Sequence, residues 1–216
     1  MTLAQNHQQR LNGNNIRPVV TLSKQAYKGA LSVPLLEFEY FTPELDLNKY
    51  DGLIITSKEA VKALSYLKWE HMRVYCVGEA TASLVHNVVY SQNIGGASEL
   101  ANYLENNSTN EKLLYCRGEN VSVDLASRLG VDEIILYKSN CVKDKKDKTI
   151  PSNSIIIFSS PSTVECFLEI YKFENDFKAI ALGKTTALSL IDAKIPHEIS
   201  PSTTILNAID YAKRLG

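Results

Sequence analysis

Twice in this chain a short run of β-branched residues ends in hydroxyl side chains and passes directly into an amphipathic helical stretch. The first is "YDGLIITSKEAVKAL", residues 50–64, and the second "SNSIIIFSSPSTVECF", residues 153–168. The match extends well beyond these segments. "LIITSKEAVKALSYL" aligns with "IIIFSSPSTVECFLEI", placing Thr56 over Ser159 and Ser57 over Ser160. "VYCVGEATASLV" aligns with "AIALGKTTALSLI", placing Gly78 over Gly183 and Thr81 over Thr186. "NIGGASELANYL" falls over "EISPSTTILNAI", with Ile94 over Ile199 and Asn102 over Asn207. Each copy also has a preface, "VVTLSKQ…LSVPLLEFEYF" before the first and "LLYCRGE…LGVDEIILYKSN" before the second. The offset stays near a hundred residues, so the whole chain reads as a duplicated unit.

Each unit alternates short β-branched strands with helical stretches of about 10–14 residues, the pattern of a parallel sheet covered on both faces. After Ser57, residues Ala60, Val61, Leu64 and Leu67 share one helical face. Thr56 and Glu59 have capping-box spacing. In the second copy Pro161 follows Ser160, and proline suits the first helical position because its missing N–H has no partner there anyway. A chain of 216 residues holds one large domain or two small ones, and the repeat favours two α/β units.

Strand ends that lead into helix N-termini lie at the carboxyl edge of a parallel sheet, where doubly wound folds bind ligands. The free N–H groups of a helix's first turn favour anions. Three such turns recur in each copy: "TSKE", "VGEAT" and "GGAS", then "SSPST", "LGKTT" and "SPSTT". Ser and Thr cap helices in any protein, but six turns in two matched sets describe two facing crescents of donors. They suit a ligand with several carboxylates or phosphates.

The other signals mainly exclude. A net charge of −1 gives no reason to expect nucleic acid, and the apolar runs are too short to cross a membrane. "MTLAQNHQQRLNGNN" has no apolar signal core and reads as a flexible extension, residues 1–15, of a cytoplasmic protein. Cys76, Cys116, Cys141 and Cys166 show no CxxC spacing and read as free, structural thiols, in keeping with a reducing compartment. With the four histidines scattered, no metal site is expected. "LGKTT" fails as a P-loop because Lys178 stands where its first glycine is required. "KDKKDK", residues 143–148, reads as a solvated linker.

Taken in order, "TSKEAV", "VGEATA", "LYCRGE", the tyrosine-bearing strand "IILYKS", "IFSSPSTVECF" and "ALGKTTA" resemble the uroporphyrinogen-III synthase family over residues 17–213. One departure is the first strand, which often ends in "TR" in the family and here reads "VVTLSKQ", leaving Lys24 as the nearby cation. The resemblance implies two flavodoxin-like parallel-sheet domains joined by a two-stranded ribbon, with the active site in the cleft between them. One domain would combine 16–32 with 149–213, the inserted one would span 41–131, and the ribbon strands would be 33–40 and 132–140.

The resemblance also implies a reaction. Hydroxymethylbilane, a linear tetrapyrrole bearing acetate and propionate groups, loses its hydroxyl as water, ring D inverts, and the macrocycle closes to uroporphyrinogen III. No cofactor is implied, nothing in the sequence suggests more than a monomer, and the resemblance leaves room for a transient hand-over of substrate from hydroxymethylbilane synthase. Tyr137 is the expected proton donor to the departing hydroxyl, matching the family's tyrosine. Expected substrate-binding residues are Thr56, Ser57, Gly78, Thr81, Arg117, Ser159, Ser160, Ser162, Lys184, Thr185 and Thr186. The residues by themselves also fit a non-catalytic two-lobed sensor of an anionic metabolite.

Overall fold

Two sheets, each with buried residues on both faces, organise the protein. The structure, a computed structural model, describes residues 17–92, 96–107, 110–142 and 149–216. The N-terminal extension 1–15, Ile94, Gly95 at the start of the "GGAS" turn, and the charged linker 143–148 lie outside the described residues. The strands are β1 (Val19–Thr21), β2 (Leu31–Ser32), β3 (Leu36–Tyr40), β4 (Gly52–Ile55), β5 (Arg73–Val77), β6 (Val88–Gln92), β7 (Leu113–Gly118), β8 (Asp132–Cys141), β9 (Ile155–Phe158), β10 (Lys178–Ala181) and β11 (His197–Ile199). The helices are α1 (Lys58–Ala63), α2 (Glu79–Ala82), α3 (Gly96–Asn106), α4 (Leu125–Leu129), α5 (Pro161–Ile170), α6 (Lys184–Asp192) and α7 (Ile205–Leu215).

One sheet has the order β11-β10-β9-β1-β2 and is parallel throughout. The other runs β3-β8-β7-β4-β5-β6, parallel except for the β3–β8 pair. Setting β3 aside, the two orders superpose: β6-β5-β4-β7-β8 on β11-β10-β9-β1-β2. The sequence repeat and the sheets nevertheless divide the chain differently. The first preface, β1–β2, pairs with β9 of the second copy, and the second preface, β7–β8, pairs with β4 of the first. Each repeat therefore lends its opening strands to the other's sheet.

Strand alternation distributes the side chains between two cores per sheet. Ile156 and Phe158 of β9 face α5 and α6, whereas Ile155 and Ile157 face α7. In the other sheet Leu53 and Ile55 face α1, whereas Ile54 faces α3 and α4. Ala60 and Leu64 are buried as the helical spacing predicts, with Val61 and Leu67 packed at the margin. Two helices of the first copy fall short of the expected length. α1 has six residues before a 3-10 turn at Leu64–Tyr66, and α2 has four.

The cysteine expectation is half corrected. Cys76 and Cys116 are free and buried in mid-strand, and burial pushes the Cys116 thiol up to about 12, which makes it inert. Cys141 and Cys166 are not free thiols. They form a disulfide with Cα atoms 5.3 Å apart, tying the last residue of β8 to α5. Spacing concealed this pair because 25 residues separate the partners and only the fold brings them together. The premise of unpaired thiols in a reducing compartment therefore does not hold for these two.

Closing a loop of this size stabilises a fold by about 3 kcal/mol through the unfolded chain. Reduction with dithiothreitol is expected to lower the urea midpoint of the wild type and to leave a Cys141→Ser variant unchanged. Equal midpoints for oxidised and reduced wild type would show that the bond contributes nothing.

Candidate functional site

β4 ends at Ile55, and the next two residues leave the sheet at its carboxyl edge. Their hydroxyls meet tyrosines from two neighbouring strands. Thr56 Oγ1 lies 3.2 Å from Tyr115 Oη, and the Ser57 hydroxyl is near enough to Tyr137 to draw its pKa down. Ser57 also caps α1, its Oγ accepting from the Glu59 N–H at 3.1 Å. The N-cap is thus Ser57 and not Thr56, so the expected Thr56–Glu59 capping box does not form. The Glu59 carboxylate instead accepts from Tyr40 Oη at 2.5 Å and from Lys62 Nζ at 3.0 Å.

Tyr137 occupies the point where β8 changes partners. It stands opposite Gly118 of β7 on one side and Tyr40 of β3 on the other. Its ring covers Gly118 so closely that a Cβ there would lie 2.7 Å from two ring carbons. Phe38 meets the ring edge-on at a centroid distance of 6.0 Å. Burial pushes the phenol's pKa above its ordinary value, the Ser57 hydrogen bond draws it down, and the charge of Glu59 pushes it up again. The net direction is upward, so Tyr137 keeps its proton at neutral pH and can act only as an acid from that state.

The remaining candidates fall into groups. Ser160 caps α5 and forms a true capping box with Thr163, with Pro161 in the first turn as the sequence predicts. Ser159 is exposed at the tip of β9, and Ser162 is half-buried in the first turn of α5. Gly78 caps α2 with φ of 85°, a left-handed value that glycine adopts without penalty. Thr81 and Thr186 are buried in their helices' first turns, so their side chains pack rather than reach outward. Lys184 is exposed at the first residue of α6, where the helix dipole disfavours a cation unless an anion is near. Thr185 follows it, half-buried, and a Cβ built on Gly96 at the start of α3 would lie 3.6 Å from Thr185 Oγ1. The N-termini of α3 and α6, one from each sheet, therefore approach each other.

Arg117 is placed differently from the expectation. Its Nε and Nη2 form a fork on Glu133 at 2.8 Å, and Nη1 donates to the carbonyls of Gly118 and Glu119. This guanidinium braces β7 against β8 and has little left for a ligand. Lys24 forms an exposed pair with Glu37 at 3.7 Å. In the "SPSTT" turn, Ser200 and Ser202 bond within the turn and Thr204 caps α7, so these hydroxyls serve the chain itself. Two open cavities of about 450 and 250 Å³ lie elsewhere, both lined by Ile150, Glu174 and Phe177. Neither includes a residue of this constellation.

Sequence reasoning missed Tyr115, Tyr40, Glu59 and Gly118. The first two sit in quoted strands, where strand alternation alone gives a tyrosine no role. Glu59 was noticed only as a capping partner.

The sequence profile of the family described as "Uroporphyrinogen-III synthase HemD" matches residues 19–209. The chain belongs to that family. Its fold is similar to that of the uroporphyrinogen-III synthetase of Helicobacter pylori, at 26% identity and a TM-score of 0.73, covering 93% of this chain and 100% of that one. A mutant uroporphyrinogen III synthase from Thermus thermophilus shares the fold at 12% identity and a TM-score of 0.50, with 93% and 100% covered. A comparison with curated protein sequences gives no significant match. The two-sheet α/β architecture is thus that of uroporphyrinogen-III synthases. Among the described residues no helix is long and apolar enough to cross a membrane.

Gly118→Ala tests the close approach at Tyr137. Backbone strain is not at issue, since Gly118 has no positive φ, so the cost should come from displacing the ring. Overpacking of this kind costs about 1–3 kcal/mol. A variant as stable as the wild type, with its Tyr137 ring unmoved in a crystal structure, would contradict this account.

Proposed function

We propose that this family member is a working uroporphyrinogen-III synthase, converting hydroxymethylbilane to uroporphyrinogen III by loss of water, inversion of ring D and macrocycle closure. The observation that carries the reading is the placement of Tyr137: its ring lies over Gly118 at the point where β8 exchanges β7 for β3, with Thr56 and Ser57 nearby at the carboxyl edge of the sheet. In the proposed mechanism Tyr137 Oη gives its proton to the departing hydroxyl, which leaves as water. The phenolate so formed regains a proton when ring closure releases one from the pyrrole carbon.

Two features support substrate gripping from both sides. The α3 and α6 N-termini face each other across Gly96 and Thr185, and Lys184 stands beside them. Acetate and propionate groups held there would fold the flexible chain so that ring D presents its substituted carbon, which can contribute several kcal/mol to the rate by proximity alone. α1 and α2 are too short for a strong dipole, so α1 would contribute the Ser57 hydroxyl with single N–H groups, and α2 single N–H groups alone. We also read residues 16–32 with 149–213 and residues 41–131 as the two lobes, hinged where the chain crosses at 33–40 and 132–140.

The test is an assay coupled to hydroxymethylbilane synthase, with type III and type I uroporphyrinogen separated by chromatography. Type III product is expected from the wild type, and Tyr137→Phe should reduce its rate by roughly a hundredfold. Type I product alone from folded wild type would overturn the reading. Lys184→Ala is expected to raise KM several-fold with kcat nearly kept, because it meets a carboxylate that does not change during the reaction. A loss confined to kcat would assign Lys184 to the chemistry instead.

A further inference from the structure

Glu59 is 5% exposed, and among the described residues no other charged side chain is so enclosed. A carboxylate withdrawn from water needs partners, and a buried ion pair seldom stabilises a fold more than apolar residues of similar volume. A requirement of folding alone therefore gives little reason for an acid here. Its contacts give a better one. Tyr40 Oη donates to Glu59 Oε2 at 2.5 Å, and Lys62 Nζ donates to both carboxylate oxygens at 3.0 Å. The Glu59 N–H donates to Ser57 Oγ, and the Ser57 hydroxyl acts on the Tyr137 phenol. Tyr40 in turn stands directly across the β3–β8 pair from Tyr137. Glu59 thus reaches Tyr137 by two routes, through Ser57 by its backbone and through Tyr40 by its side chain.

We propose that Glu59 is a positioning residue for Tyr137, clamping α1 to the end of β3 and setting a fixed negative charge on the Tyr40 side of the phenol. This rests on the reading of Tyr137 as the acid. The titratable groups that act on Tyr137 are Glu59 from α1, paired with the exposed Lys62, Tyr40 from β3 and Tyr115 from β7. Lys138, the next residue along β8, points to the other face and pairs with Glu119 at 3.1 Å. The sign follows from charge. A carboxylate beside a forming phenolate disfavours ionisation and raises the phenol's pKa, so removing it lowers that pKa.

Glu59→Gln keeps the volume and an acceptor for Tyr40 while removing the charge. Tyr137 can be titrated by NMR in protein carrying ring-labelled tyrosine, its signal assigned by loss in Tyr137→Phe. The Gln variant is expected to show a lower Tyr137 midpoint than the wild type. In the coupled assay the alkaline limb of kcat should move the same way, with KM little changed. Glu59→Asp should restore the wild-type midpoint. Lys62→Met, which leaves the carboxylate uncompensated, should move the midpoint up and serves if the Gln variant fails to fold. Identical midpoints in the wild type and the folded charge variants would overturn the proposal. A shifted midpoint in a protein that makes no type III product would support the link between Glu59 and Tyr137 while removing the synthase reading.

Discussion

The rest of the structure depends on the change of hydrogen-bonding partner along β8. Every buried backbone group needs a partner, and a strand that outruns one neighbour must find another at once. The first half of β8 pairs in parallel with β7, from Leu114 opposite Asp132 to Gly118 opposite Tyr137. The second half pairs antiparallel with β3, from Tyr40 opposite Tyr137 to Leu36 opposite Cys141. Among the described residues the chain passes between the two sheets twice, between β2 and β3 and between β8 and β9, and β3 pairs with β8 between those passages. The disulfide from Cys141 to Cys166 then fastens the far end to α5.

The candidate site is a consequence of that arrangement. A residue at the point of exchange is partly shielded by both neighbours yet lies at the carboxyl edge of the sheet. Tyr137 fits there because Gly118 offers no side chain beneath its ring. The Thr56 hydroxyl lies within hydrogen-bond distance of Tyr115 Oη, and the Ser57 hydroxyl draws down the pKa of Tyr137. Burial supplies the main electrostatic effect, keeping both Tyr115 and Tyr137 protonated. Glu59 adds to that effect at Tyr137, and the Ser57 bond opposes it.

Much of what looks like ligand-binding chemistry in the sequence is chemistry the fold uses on itself. Ser160, Thr204 and Ser57 all cap helices, and Arg117 is held by Glu133 and two carbonyls. A cap does not exclude a ligand, because one hydroxyl satisfies only one of several free N–H groups in a first turn. A guanidinium held at Nε, Nη1 and Nη2 is a different case, since its fork geometry is already taken up.

The sequence by itself determined the alternation of strand and helix, the hydroxyl-rich turns and the duplication, because these are local patterns repeated at a fixed offset. It also carried the ordered motifs that resemble uroporphyrinogen-III synthases, and Tyr137 among them. It did not determine that the repeats exchange their opening strands, because parallel partners leave no record of register in either segment. Cys141 with Cys166, Arg117 with Glu133 and Tyr40 with Glu59 were equally hidden, each being a pairing of residues at least 16 positions apart. Whether a hydroxyl caps, a cation pairs or an acid is buried depends on which segments the sheets bring together. Only the tertiary structure decided that.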